Sequence, residues 1–166
     1  MKARAPASRS ALQHTGVRLS DFLAADSVEL SMKATTKEEA LAELILLLPI
    51  SQTDRNITLA TLGQRESIGS TGVGMGVAIP HCRSTTFSKL MVAFGRSPKG
   101  VAYQAVDKKK VRLFFLVVSP PIELTNFYHP VLAAIVNLTK EDHNRNRLLE
   151  AESAAEVRTI LSGAVS

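Results

Sequence analysis

RESIGSTGVGMGVAIPHC, residues 65–82, places four glycines and two hydroxyl side chains, Ser70 and Thr71, directly ahead of an Ile-Pro-His that closes an apolar run. Glycines let backbone amides approach an anion closely, so two nucleotide motifs are worth testing against residues 69–76. Neither fits. A P-loop ends in Gly-Lys-Ser/Thr, whereas Gly74 is followed by Met75, and a dinucleotide fingerprint needs a third glycine where Val77 stands. What remains is a flexible, amide-rich loop with Arg65 before it and Pro80-His81 after it. Neutral imidazole is a good nucleophile near neutral pH, and a guanidinium, hydroxyls and amides can hold the oxygens of a transferred phosphoryl group. Pro80 fixes the backbone ahead of His81 and extends Ile79, so the ring should project from a defined edge. Read alone, the same residues also fit a tight glycine turn beside an ordinary histidine.

Outward from this stretch, hydrophobic periodicity outlines an α/β fold. Upstream, residues 19–22 read as a short helical start that Ser20 could cap, and residues 28–32 alternate like a half-buried strand. Thr36 and Glu39 form a capping-box pattern, and Ala40, Leu41, Leu44, Ile45 and Leu48 follow at helical spacing up to Pro49. A second helix over residues 54–65 leads into the glycines. Downstream, residues 77–79, 89–94 and 111–118 read as strands, the last a continuous apolar run suited to a central position buried on both faces. Pro130 suits the first position of a helix through Leu138, and residues 145–151 and 154–161 look helical. The expectation is one domain with a mixed β-sheet sandwiched between helices.

The 166 residues suit that single domain, and 45% hydrophobic against 21% charged residues argues against wholesale disorder. The formal charge of +5 raises nucleic acid as a partner, but its placement argues against one. Lys2, Arg4, Arg9 and Arg18 all precede the first acidic residue, and without residues 1–18 the chain has 16 basic against 15 acidic side chains. Lys108, Lys109 and Lys110 have no interleaved aromatics and read as a solvated turn, with Asp107 forming part of it. Residues 1–18 are expected to be a disordered basic extension and residues 19–166 the folded domain. Cys82 is the single cysteine, so no internal disulfide is available. His81, Cys82 and His129 make a poor metal set, since adjacent residues seldom face one ion, and neither metal nor cofactor is expected. Cys82 as a thiol nucleophile lacks an acidic orienter, while His14 and His143 read as solvated. No apolar run nears the roughly 20 residues that span a bilayer, and a cytoplasmic location is expected.

Taken together, Arg-Glu, Ser-Thr-Gly, the alternating glycines and Ala-Ile-Pro-His resemble the signature of the enzyme IIA domains of the bacterial phosphoenolpyruvate:sugar phosphotransferase system, fructose/mannitol class, especially the nitrogen-regulatory branch. AYQAVDKKKVRLFFLVV, residues 102–118, resembles the stretch that follows it, and the likeness spans about residues 19–161. It implies that His81 accepts a phosphoryl group from an HPr-type carrier, with Arg65 near that group and Ser70 and Thr71 in support. The family usually has Asn where Met75 stands and Gly where Cys82 stands. It also has a second histidine, whose position aligns with Phe127, whereas this chain has His129. If both sites lay within a helix, two residues would turn the ring by about 200°. If Pro130 opened the helix, His129 would be a cap residue free to swing toward His81.

Three functions follow. The first is a phosphorelay regulator, a phosphohistidine phosphotransferase component rather than a stand-alone metabolic enzyme, whose phosphorylation state sets its partners. The second is a sugar-transport component that passes the phosphoryl group to a IIB domain. The third is a binding module that keeps the fold without phosphotransfer. The Ser-Thr-Gly form of the motif and the chain's standing alone favour the first, and nucleic-acid binding ranks last.

Overall fold

The computed structural model describes residues 16–163; the extension expected over residues 1–18 lies outside them apart from its last three residues, of which Val17 is buried in the core. A 3-10 turn, Leu19–Phe22, leads into strand β1, Leu23–Glu29. Arg18 rather than Ser20 holds its cap position, and the Leu23 amide closes it on the Ser20 carbonyl. Helices α1, Lys37–Ile45, and α2, Gln52–Ile68, follow. Short strands β2, Gly72–Gly74, β3, Val77–Ala78, and β4, His81–Arg83, precede the long strands β5, Met91–Val101, and β6, Val111–Ser119. Helices α3, Tyr128–Thr139, α4, Asp142–Glu150, and α5, Ala154–Leu161, complete the order.

The mixed sheet runs β1-β5-β6-β3-β2, with β4 paired to β6 beyond β3. Strands β3 and β4 both lie parallel to β6, Val77 opposite Leu113 and His81 opposite Val117. They are two halves of one strand line, interrupted at Ile79-Pro80 because proline has no amide to give the ladder. On one face of β6, Leu113, Phe115 and Val117 pack with Tyr128, Val131 and Ile135 of α3 and with Val157 of α5. On the other, Phe114, Leu116 and Val118 pack with Leu41 and Leu44 of α1 and with Leu62 of α2. Two cores, one per face, explain why β6 is apolar without alternation.

Local chemistry sets the element ends. The Thr36 hydroxyl accepts from the Glu39 amide while the Glu39 carboxylate accepts from the Thr36 amide, completing the capping box. Four expectations need correction. The strand expected at 28–32 runs instead from Leu23 to Glu29, and the one expected at 89–94 runs on to Val101, because a bulge absorbs Pro98 and Gly100 while the Ser97 hydroxyl accepts the Gly100 amide. Pro130 occupies the third helical position of α3, so His129 lies inside the helix rather than at its cap.

The fourth correction concerns the glycines. Residues 72–78 form a two-residue β-hairpin rather than a flexible loop: Gly74 pairs with Val77, and between them Met75 and Gly76 have φ of 57° and 74°. Two consecutive positive φ values define the turn type that matches strand twist, for which Asn-Gly is preferred. Met75 is therefore a left-handed non-glycine residue, and Met75→Asn is expected to raise stability by about 0.5–1 kcal/mol, read as a higher denaturation midpoint in urea. Gly72 is needed for a different reason, since a Cβ there would lie 2.8 Å from the Ala105 backbone.

Candidate functional site

His81 opens β4, half-buried at the sheet edge, with the rest of the strand hydrogen-bonded to β6. Its Nδ1 lies 2.7 Å from the Ile79 carbonyl oxygen, which can only accept, so Nδ1 carries a proton. In the neutral ring Nε2 then holds the free lone pair, and the imidazole is a nucleophile at Nε2. The turn that makes this bond possible is the one Pro80 imposes. The Pro80 carbonyl in turn accepts from the Val117 amide at 2.9 Å, anchoring the bend to the central strand.

Successive side chains of β4 alternate. Cys82 points into the core on the α1–α2 face, and burial pushes its thiol up to about 12. That removes the thiolate a cysteine nucleophile would need. Alkylation by iodoacetamide in the native state is expected to be slower than in denaturant by on the order of a hundredfold, followed by mass spectrometry.

Arg65 lies in the last turn of α2 and donates from Nη1 to the Gly69 carbonyl at 3.0 Å. Its neighbour Glu66 does more to shape the loop. The Glu66 carboxylate accepts from the Thr71 amide at 3.2 Å, from the Thr71 hydroxyl, from the Tyr103 hydroxyl at 3.1 Å and from Lys37 Nζ at 3.0 Å. Burial would raise its pKa, but the Thr71 hydroxyl, Lys37 and the Thr71 amide outweigh that and hold it below the ordinary carboxylate range. Burial pushes the Tyr103 phenol well above its ordinary value, so it remains a donor.

Of the expected supporting residues, Thr71 is thus turned inward, 4% exposed, with its hydroxyl taken up by Glu66 and Tyr103. The Ser70 hydroxyl accepts from the Gly72 amide at 3.1 Å and stiffens the same turn. The Thr71, Gly72 and Met75 amides donate to Glu66, Ser70 and Asp107 respectively. The glycine stretch shapes the edge beside His81 with those three amides already committed, instead of offering them to an anion.

Sequence reasoning placed the family's second histidine at Phe127. In the structure Phe127 is the N-cap of α3 and its ring packs edge-on against Phe22 at 5.9 Å. His129 is exposed and meets Arg83, whose Nη2 lies 3.0 Å from its Nε2. The residue of α3 beside His81 is Tyr128, between the two, with ring centroids 6.4 Å apart. The Arg83 guanidinium lies 4.0 Å over the Tyr128 ring. Burial raises the Tyr128 phenol pKa, against the pull of Arg83 and Arg65, so the hydroxyl stays protonated near neutrality. Tyr128 and Arg83 were not singled out from sequence, because the contact that unites them with His81 joins residues far apart in the chain. The lysines 108–110 are exposed beyond a turn closed by Asp107, as expected, and His143 is exposed on α4. His14 lies outside the described residues.

Among the described residues no helix is long and apolar enough to cross a membrane, and no three His, Cys, Asp or Glu side chains are grouped to hold a metal.

A sequence profile described as phosphoenolpyruvate-dependent sugar phosphotransferase system, EIIA 2, matches residues 21–164. The chain is 34% identical over 141 residues to the fructose-specific EIIA component of the phosphotransferase system of Haloferax volcanii, covering 83% of this chain and 90% of that one. It is 27% identical over 146 residues to the nitrogen regulatory protein of Bradyrhizobium diazoefficiens, covering 87% and 94%. The crystal structure of the nitrogen regulatory protein IIA-Ntr from Neisseria meningitidis superposes with a TM-score of 0.78 at 32% identity, covering 86% of this chain and 97% of that one. With a profile match across nearly all the described residues and a shared fold, the chain belongs to the EIIA type 2 family of the phosphoenolpyruvate-dependent sugar phosphotransferase system.

Proposed function

We propose that this protein is a phosphocarrier that accepts a phosphoryl group on His81 Nε2 from an HPr-type carrier and signals through its phosphorylation state. One observation carries the reading: the Nδ1 to Ile79 carbonyl contact leaves Nε2 as the free nucleophile at an accessible edge. The Nε2–P bond forms as the bond from phosphorus to the carrier breaks, and the carrier keeps that electron pair. Arg65, in the last turn of α2, is the cation assigned to offset the charge on the phosphoryl oxygens. The added charge at an exposed edge changes which surface the domain presents to a partner.

The test is incubation with phosphoenolpyruvate, enzyme I and HPr, followed by intact mass and phosphorus NMR. One acid-labile phosphoryl group, bonded at Nε2, supports the reading; no uptake refutes it.

A second reading, transport, is favoured by the identity to a fructose-specific EIIA component. The mannitol IIA protein of Escherichia coli has been solved in complex with phosphorylated IIB, which supports a IIB domain as recipient in that case. Onward transfer from the phosphorylated protein to a fructose-type IIB domain would support transport, and phosphorylation without it leaves regulation.

A further inference from the structure

We infer that Arg83 is a second cationic ligand of the phosphoryl group, held ready by Tyr128 and His129 as positioning residues. The inference rests on the reading that His81 carries that group. A phosphoryl group on imidazole bears close to two negative charges at neutral pH, more than the single charge of Arg65 offsets.

Arg83 is placed to supply the rest. It is two residues from His81 on β4, and alternation puts both on the same side of the strand, with Cys82 turned into the core. Two residues of strand span only about 6.6 Å, well within the reach of an arginine side chain. Its guanidinium lies flat enough over Tyr128 for its central carbon to sit 4.0 Å from the ring centroid, and that ring is the one beside His81. The guanidinium donates from Nη2 to His129 Nε2 at 3.0 Å. Among the described residues Arg83 forms no ion pair, so its charge is not neutralised within the fold. A guanidinium carries five donors, so Arg83 has donors beyond the one given to His129, and these suit the oxygens of a phosphoryl group. The hydroxyl of Thr71, by contrast, is already bound.

The experiment compares two donors on the full chain: phosphoramidate, a small donor that needs no docking surface, and phosphorylated HPr. Uptake on His81 and the half-life of the phosphohistidine are followed for the wild type, Arg83→Gln, Arg83→Lys and Tyr128→Phe, with His81→Ala as the blank. Arg83→Gln is expected to slow uptake from both donors about tenfold, the loss of one charge-assisted hydrogen bond in the transition state. Arg83→Lys should restore uptake only in part, and Tyr128→Phe, which keeps the ring under the guanidinium, should have the smaller effect. Melting temperatures should match, because Arg83 is exposed. Equal rates for the wild type and Arg83→Gln would overturn the inference, as would slowing with HPr alone, which would make Arg83 a docking residue. A wild type that accepts nothing from either donor would overturn the phosphocarrier reading itself, and this inference with it.

Discussion

His81→Ala should reduce phosphoryl uptake to the level of a protein blank, a loss of at least several hundredfold, whereas the fold should be unaffected. On the proposed reading Nε2 of this ring is the atom that bonds to phosphorus, so no neighbouring group can make up part of the loss. Thr71 is buried with its hydroxyl engaged, and the Cys82 thiol is in the core. His81→Gln makes a sharper comparison, since it keeps bulk and a polar end at the site without the ring nitrogen. Both variants should hold the wild-type denaturation midpoint to within about 0.5 kcal/mol, because a half-exposed edge residue contributes little packing. Residual acid-labile phosphoryl in either variant, counted by intact mass, would place the acceptor elsewhere.

Glu66→Leu should be strongly destabilising, costing about 3 kcal/mol. The carboxylate is 6% exposed and serves the Thr71 amide, two hydroxyls and the Lys37 ammonium, itself 13% exposed. Removing it leaves a half-shielded positive charge and several donors without an acceptor, and unmade bonds cost more than made ones contribute. The same carboxylate predicts an acid limb. Its folded-state pKa lies below the ordinary 4.5, so its contribution is complete above about pH 4.5 and is lost as the pH falls through the lowered folded value. Glu66→Gln, with no proton to gain, should show a flatter stability profile over that window. Urea midpoints measured from pH 6 down to pH 3 decide this, and parallel profiles for the wild type and the Gln variant would count against it.

The elements legible in the sequence were those set by local rules. The Thr36–Glu39 box marked α1, the apolar run at 111–118 marked the central strand, and Pro80 marked the histidine's edge. Elements whose signals conflict with propensity were not legible. Glycines read as a loop until pairing with Val77 and Ala78 made them a hairpin, and the strand expected at 89–94 stopped short of the bulge through which β5 continues to Val101. At the site, the candidate histidine and the strand edge that carries it could be read from the motif, but its surroundings could not. Which way Thr71 faces depends on Glu66, Tyr103 and Lys37, three elements apart. Whether Phe127, Tyr128 or His129 stands beside His81 depends on a shift of one residue in the start of α3, which a single sequence does not resolve.

The contact between His81 and the carbonyl of Ile79 spans only two residues. The protonation pattern of the nucleophile is therefore written into a tripeptide, independent of the helices that surround it. Changes on α2 or α3 can alter partner, rate or signal while the reacting nitrogen stays the same. On the proposed reading, the reacting nitrogen and the surface that meets a partner are therefore separately mutable in this protein.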